Sequence, residues 1–219
     1  MKHLLLILGL ILSIDTYSQS KPIDKVFLLL PDGLISNLNI KDRQTILEKK
    51  RFYASNNTEE SITVYEIRDN DKYNDRLSLR SSFETGQTLY GITELRMFFK
   101  TNGDTIVILS SYGGTNGLAE HSNLYTFSLK NGTLINQENL LPDNIPIKDF
   151  FKPNTPDSIF EKYGGYNYYY DLIDAADNTV EFSIDFRWNQ YKDSWLLGYT
   201  FIFKWVNDKF EKEIKLEEN

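Results

Sequence analysis

The chain has 219 residues, 41% of them apolar and 14% aromatic, with 31 acidic against 24 basic residues, a formal net charge of −7 and no cysteine. That apolar and aromatic content argues against a disordered chain, and the length allows one large domain or two small ones with a core of their own. Interspersed charges of acidic balance speak against nucleic acid, whose footprint is a basic stripe. The missing thiols exclude cysteine nucleophiles, thiolate zinc sites, iron–sulfur clusters and a disulfide scaffold.

Residues 1–18 read as a secretory signal peptide: Lys2 opens a basic start, residues 4–14 are apolar apart from Gly9 and Ser13, and Thr16 and Ser18 stand at the −3 and −1 positions of a cut before Gln19. The run is too short to span a bilayer comfortably, and no later stretch approaches that length. Export without disulfides points to a bacterial envelope, periplasmic or extracellular, and a soluble mature chain.

After a polar entry, the run 26–30 leads into Pro31-Asp32-Gly33, where Asp32 can cap a short helix over 33–38. Asn39 with Asp42 three residues on is a relative of the capping box and predicts a helix over 40–52, with Ile40, Ile46 and Leu47 inward and the basic Lys49-Lys50-Arg51 at its C-terminus. Strands follow at 62–67 and 76–80. The centre of the chain is 92–112, two apolar runs joined at Asn102-Gly103, the strongest short signal for a hairpin. With those two residues as the turn, Phe99 faces Ile106, Met97 faces Ile108 and Leu95 faces Ser110 on an apolar side. Glu94, Arg96, Phe98, Lys100, Val107 and Leu109 then share a mixed side that is partly wet. A second ribbon, 124–136, turns at Asn131-Gly132.

The pattern then starts again. Leu28-Leu29-Leu30-Pro31-Asp32 has an echo in Asn139-Leu140-Leu141-Pro142-Asp143, followed by a helical region at 146–163 that Pro153 and Pro156 split into two short helices. Strands follow at 166–173, 179–188, 194–206 and 209–214, with Asn207-Asp208 as the last tight turn. The expectation is an α+β fold, with short N-terminal helices followed by an antiparallel meander. The arrangement is repeated as two-layer helix-on-sheet units over 19–138 and 139–219, whether as two units or one continuous domain.

The order of these signals resembles an uncharacterised secreted bacterial domain-of-unknown-function family of Gram-negative envelope proteins. The residues that carry the resemblance are Leu30-Pro31-Asp32, Arg76-Leu77-Ser78-Leu79-Arg80, the strand Asp104-Thr105-Ile106-Val107-Ile108 ending in Tyr112-Gly113, and the C-terminal Phe203-Lys204-Trp205-Val206-Asn207-Asp208-Lys209-Phe210. Where members favour Gly in the last turn, this chain has Asp208. The resemblance implies export and an α+β fold and brings no catalytic residues.

Motifs for chemistry are thin. His121, the only histidine of the mature chain, sits in Glu120-His121-Ser122 without a nucleophile elbow, and reads as a surface-loop residue. Asp69-Asn70-Asp71-Lys72-Tyr73-Asn74-Asp75 begins like a calcium loop but has Asn74 where glycine is needed and Arg80 where the closing Glu belongs, so it reads as an acidic connection and no metal site is assigned. Gly113-Gly114-Thr115-Asn116-Gly117 lacks the Lys-Ser/Thr of a phosphate loop and reads as a connection between hairpins. Asp171, Asp174 and Asp177 could supply a glycosidase pair if two of them face each other. No catalytic residue and no cofactor is assigned.

One constellation supports a binding hypothesis. Tyr166, Tyr168 and Tyr170 share a strand face, with Tyr169 on the other, and exposed rings with hydroxyl tips make platforms for sugars or protein partners. The plain alternative is an aromatic strand covered by helices. The chain is accordingly read as an exported, non-catalytic module that binds an envelope protein or glycan. The alternative is an envelope hydrolase acting on glycan or peptide through paired carboxylates.

Overall fold

A computed structural model describes residues 20–35, 38–55, 62–68, 73–83, 89–115, 121–161, 167–185, 195–198 and 200–215. Helix α1, Pro22–Leu29, starts on a proline whose missing N–H costs nothing at that position, and the Asp24 carboxylate accepts from the Lys21 N–H at 3.1 Å. Ile23, Val26 and Phe27 form its buried stripe. Pro31 cannot continue the helix, so the helix lies before Pro31-Asp32-Gly33 and residues 32–35 form turns and bends, with Gly33 at φ +83°. The expected helix over 33–38 is absent from its described residues. Asp32 accepts a hydrogen bond from the Arg43 guanidinium at 3.0 Å instead of capping a helix.

Helix α2, Ile40–Lys49, begins with the reciprocal cap expected of Asn39 and Asp42: Asn39 Oδ1 accepts from the Lys41 and Asp42 N–H groups, and Asp42 returns the bond to the Asn39 N–H. It stops earlier than expected because Lys50 adopts a left-handed conformation (φ +62°), which closes the helix and launches a strand at Arg51. Ile46 is buried, whereas Ile40 is 45% exposed. Arg43, fully buried on α2, donates to the carbonyls of Leu30 and Leu38 and so fastens the chain between the two helices.

Seven strands form one antiparallel meander in chain order: β1 Arg51–Ser55, β2 Ile62–Arg68, β3 Arg76–Phe83, β4 Leu89–Phe99, β5 Thr105–Thr115, β6 His121–Lys130 and β7 Thr133–Gln137. The β4–β5 hairpin forms as expected, but its turn is one residue longer. Lys100 N–H donates to Asp104 O, Gly103 N–H donates to Lys100 O, and Gly103 alone takes positive φ, the geometry of a three-residue loop with a glycine bulge. That extra residue slips the register by one: Phe99 pairs with Thr105, Met97 with Val107 and Leu95 with Leu109. Every residue of one strand thereby changes its facing partners. By contrast Asn131-Gly132 and Asn207-Asp208 are two-residue turns with positive φ at both positions, as type I′ turns require.

With the true register, the two sides of the large sheet sort cleanly. Leu77, Leu79, Leu95, Met97, Val107 and Leu109 pack under α1 and α2. Arg76, Glu94, Arg96, Phe98, Ile106, Ile108 and Ser110 occupy the other side, and that side is buried as well. It is covered by a second meander of strands β8 Asn167–Asp171, β9 Thr179–Asp185, β10 Thr200–Val206 and β11 Lys209–Lys215, whose Tyr170, Phe182, Phe201 and Phe203 share one core with Phe98, Ile106 and Ile108.

The α+β expectation is therefore corrected: the chain is mainly β, eleven strands in a seven-stranded and a four-stranded antiparallel sheet, with three short α-helices among the described residues. The second helix-on-sheet unit fails for a local reason. Prolines 146, 153 and 156 reduce the expected helical region to a single 3-10 turn, Ile147–Phe150, and the five-residue α3, Asp157–Glu161. Neither can cover a sheet, so the small sheet buries its aromatic side on the large one. No helix among the described residues is long and apolar enough to cross a membrane.

Candidate functional site

Where the two sheets meet, the large sheet presents charge to the interior. Arg76 and Arg96 are Cα partners on β3 and β4, and both side chains are buried. Each points into the segment that joins β8 to β9. Arg76 donates to the carbonyls of Ile173 and Ala175 at 2.8 Å and to the Asp177 carboxylate at 2.8 Å, and its guanidinium lies 4.4 Å from the centre of the Tyr73 ring. Arg96 donates to the carbonyls of Leu172, Ala176 and Thr179. Desolvation, with Arg76 beside it, pulls the Arg96 guanidinium down to about 10. The planar, five-donor guanidinium suits this task, because one side chain holds several carbonyls of a turn at once.

Glu94 precedes Arg96 on the same side of β4 and is 5% exposed. Its Oε2 accepts from the Leu172 N–H at 2.8 Å, and the Tyr112 hydroxyl lies 3.4 Å from Oε1. Burial, and then the nearby Asp171 carboxylate, push Glu94 up to about 8, so the group is mostly protonated at neutral pH. The Tyr112 hydroxyl is raised by burial and by Glu94. The Tyr112 ring stacks on Tyr169 with centroids 4.8 Å apart, and Ser110 donates to the Tyr170 carbonyl at 2.9 Å. The whole constellation fastens β8 and its loop to the large sheet.

Of the three tyrosines expected as a platform, Tyr166 lies outside the described residues. Tyr168 is half-buried and stacks on Phe182 at 5.2 Å. Tyr170 is 2% exposed, its ring edge-on to Phe182 and its hydroxyl donating to the Pro142 carbonyl at 2.5 Å. Tyr168 and Tyr170 thus belong to the core between the sheets.

The aspartates serve the loop. Asp171 Oδ1 accepts from the Ile173 and Asp174 N–H groups, and Asp177 binds Arg76 from solvent. His121 opens β6, and Gly113, Gly114 and Thr115 continue β5 instead of forming a loop. Residues 69–72 of the acidic connection lie outside the described residues, and among the described residues no cluster of His, Asp and Glu could hold a metal ion.

A second surface lies on the same side of the large sheet, beyond the reach of β8 to β11. Along the β1–β3 rows Arg51 stands opposite Glu66, which stands opposite Arg80; Tyr53 stands opposite Val64; and Arg68 stands opposite Ser78. Tyr53 is 52% exposed, and Arg51, Arg68 and Arg80 are exposed. Arg51 pairs with Glu66 at 2.9 Å, and Tyr53 first and Glu66 second hold its guanidinium above its ordinary pKa. Neither Arg68 nor Arg80 has an ion-pair partner among the described residues. Among the described residues this face sets Arg51, Arg68 and Arg80 against Glu66, on a chain of net charge −7.

Sequence reasoning missed both places. The signal for the first was available: Glu94 and Arg96 alternate with Leu95 and Met97, so they share a side with Phe98, and a one-residue change at the turn brings Ile106 and Ile108 beside them. Charges on a side that also carries such apolar residues belong to a buried polar network.

Helices, a large antiparallel sheet and a small antiparallel sheet stacked in three layers define a mainly β protein. A solved structure of a domain of an uncharacterised protein from Porphyromonas gingivalis W83 is similar to it, with a TM-score of 0.60 and 11% identity over 88% of this chain and 98% of that one. At that identity the likeness shows the fold alone. No family model matches the sequence, and no curated protein matches it.

Proposed function

We propose that the chain is an exported, non-catalytic binding module that takes an extended, carboxylate-rich protein segment on the exposed face of β1–β3. The observation that carries the reading is the exposure of Arg68, Arg80 and the Tyr53 ring on one strand face, with neither Arg68 nor Arg80 ion-paired among the described residues. Arginine and tyrosine are the side chains that dominate protein recognition, and guanidinium groups pair bidentately with carboxylates. Export rests on the signal-like residues 1–18 and on the resemblance to secreted Gram-negative families.

The buried polar groups favour the same class. Arg76, Arg96 and Glu94 are occupied in fastening a loop, which leaves them little to offer a substrate. The hydrolase alternative has one point in its favour, since a carboxyl pushed up to about 8 is what a general acid needs. Its burial and its two engaged oxygens weigh against it.

The test is a panel of extended peptides of equal length and apolar content, carrying Glu and Asp or carrying Lys, titrated against the chain from Gln19 onward. Acidic peptides should bind, with affinity falling as salt rises, and Arg68→Glu with Arg80→Glu should abolish binding. Equal affinity for both charge signs overturns the reading. Cleavage of a peptide or glycan that disappears in Glu94→Gln would establish the hydrolase instead.

A further inference from the structure

Free strand edges are templates for pairing, and proteins guard them with charge, proline or bulges. Strand β11 is guarded. Antiparallel pairing of Lys209–Lys215 with a second copy about Lys212 would set Lys209 against Lys215, Glu211 against Glu213 and Lys212 against itself. Strand β8 is fastened to the large sheet through the bond from Ser110 to the Tyr170 carbonyl. Strand β7 has no such protection among the described residues: Thr133-Leu134-Ile135-Asn136-Gln137 carries no charge and no proline, its ladder runs to β6 without a bulge, and every residue but Leu134 is exposed.

Its hydrogen-bonding parity is also open. The two-residue turn makes Lys130 and Thr133 a hydrogen-bonded pair, so Ile135 and Gln137 also bond to β6, and the N–H and C=O groups of Leu134 and Asn136 point away to the free edge. Antiparallel pairing with a second copy about Ile135 sets Leu134 opposite Asn136, where those outward groups bond reciprocally. Thr133 falls opposite Gln137. Ile135, 46% exposed, meets its own counterpart at a non-hydrogen-bonded pair, where side chains approach most closely. No charge opposes a like charge along the strand.

We propose that the β7 edge is a homotypic docking surface, through which two copies of this chain join their large sheets across a two-fold axis at Ile135. One short edge buries little area, so the association is weak and reversible, in the micromolar-to-millimolar range. The inference is independent of the binding face, which lies at the opposite end of the sheet.

The experiment is sedimentation velocity of the chain from Gln19 onward over a series from about 10 μM to about 1 mM, with circular dichroism of each variant to confirm folding. Average mass should climb toward twice the monomer. Ile135→Lys, which sets two cations face to face, and Asn136→Pro, which removes an N–H that β6 does not use, should each hold the mass at the monomer. A wild-type chain that stays monomeric throughout overturns the proposal. So does self-association that survives both β7 variants, or that is lost instead on Tyr53→Lys at the β1 edge.

Discussion

Arg76 and Arg96 stand directly opposite one another on β3 and β4, two buried cations side by side, and what they meet is largely backbone: five carbonyls between Leu172 and Thr179 accept their hydrogen bonds, while the carboxylates of Asp177 at 2.8 Å and Asp75 at 3.9 Å lie on Arg76. Like charges facing across strands repel. Here the repulsion is offset because both side chains grip one turn, which makes the β8–β9 loop the clasp between the two sheets.

Removing one half of the clasp should be costly. Arg96→Leu leaves the carbonyls of Leu172, Ala176 and Thr179 without their donor, at about 1–3 kcal/mol for each group stranded from water. Arg96→Lys should rescue little of this, because one ammonium cannot span the three carbonyls. Urea unfolding of the three proteins checks the order wild type, Lys, Leu.

Glu94 makes stability depend on pH. Its carboxyl titrates near 4.5 when unfolded and at about 8 when folded, so the folded state holds the proton more tightly. The associated stability is fully present below about pH 4.5 and is lost as pH rises toward and through about 8. Glu94→Gln keeps an acceptor for the Leu172 N–H and removes the titration. Thermal melts should show the variant ahead of wild type by a few kcal/mol above pH 8 and level with it near pH 4–5. A constant difference across that range would assign the pH dependence elsewhere.

Tyr170 should behave as a core residue. Tyr170→Ala empties the space against Phe182 and Phe203 and should cost about 3–5 kcal/mol, whereas Tyr170→Phe loses only the bond to the Pro142 carbonyl, about 1 kcal/mol. Chemical denaturation distinguishes the two.

The bulged turn of the central hairpin depends on one glycine. Gly103→Ala places a Cβ at φ +89° and should lower stability by about 1 kcal/mol. Gly33→Ala, at φ +83° outside any hairpin, should cost a similar amount without loosening the β4–β5 register. Amide exchange at Phe99 and Thr105 reads the difference.

Local rules carried much of this fold and failed at long range. Asn39 with Asp42, Asn131-Gly132 and Asn207-Asp208 do in the structure what their side chains dictate, because caps and tight turns are settled within a few residues. Asn102-Gly103 misled because the same dipeptide serves both a two-residue turn and a three-residue loop with a glycine bulge, and that one-residue difference decides which side of β4 meets which side of β5. The aromatic strand Asn167–Asp171 gave no local sign of which side of its sheet would be buried. Its tyrosines became core because the prolines at 146, 153 and 156 left no helix long enough to cover the large sheet. Nothing local in the sequence marks Arg68 and Arg80, and only the placement of the small sheet, away from β1 and β2, sets them apart.

The most direct measurement of the binding account is nitrogen-15 chemical-shift mapping of the chain titrated with a glutamate-rich extended peptide. Shifts concentrated at Arg51, Tyr53, Glu66, Arg68 and Arg80, leaving β10 and β11 unmoved, are the predicted result. Shifts confined to the small sheet, or none at saturating peptide, would contradict it.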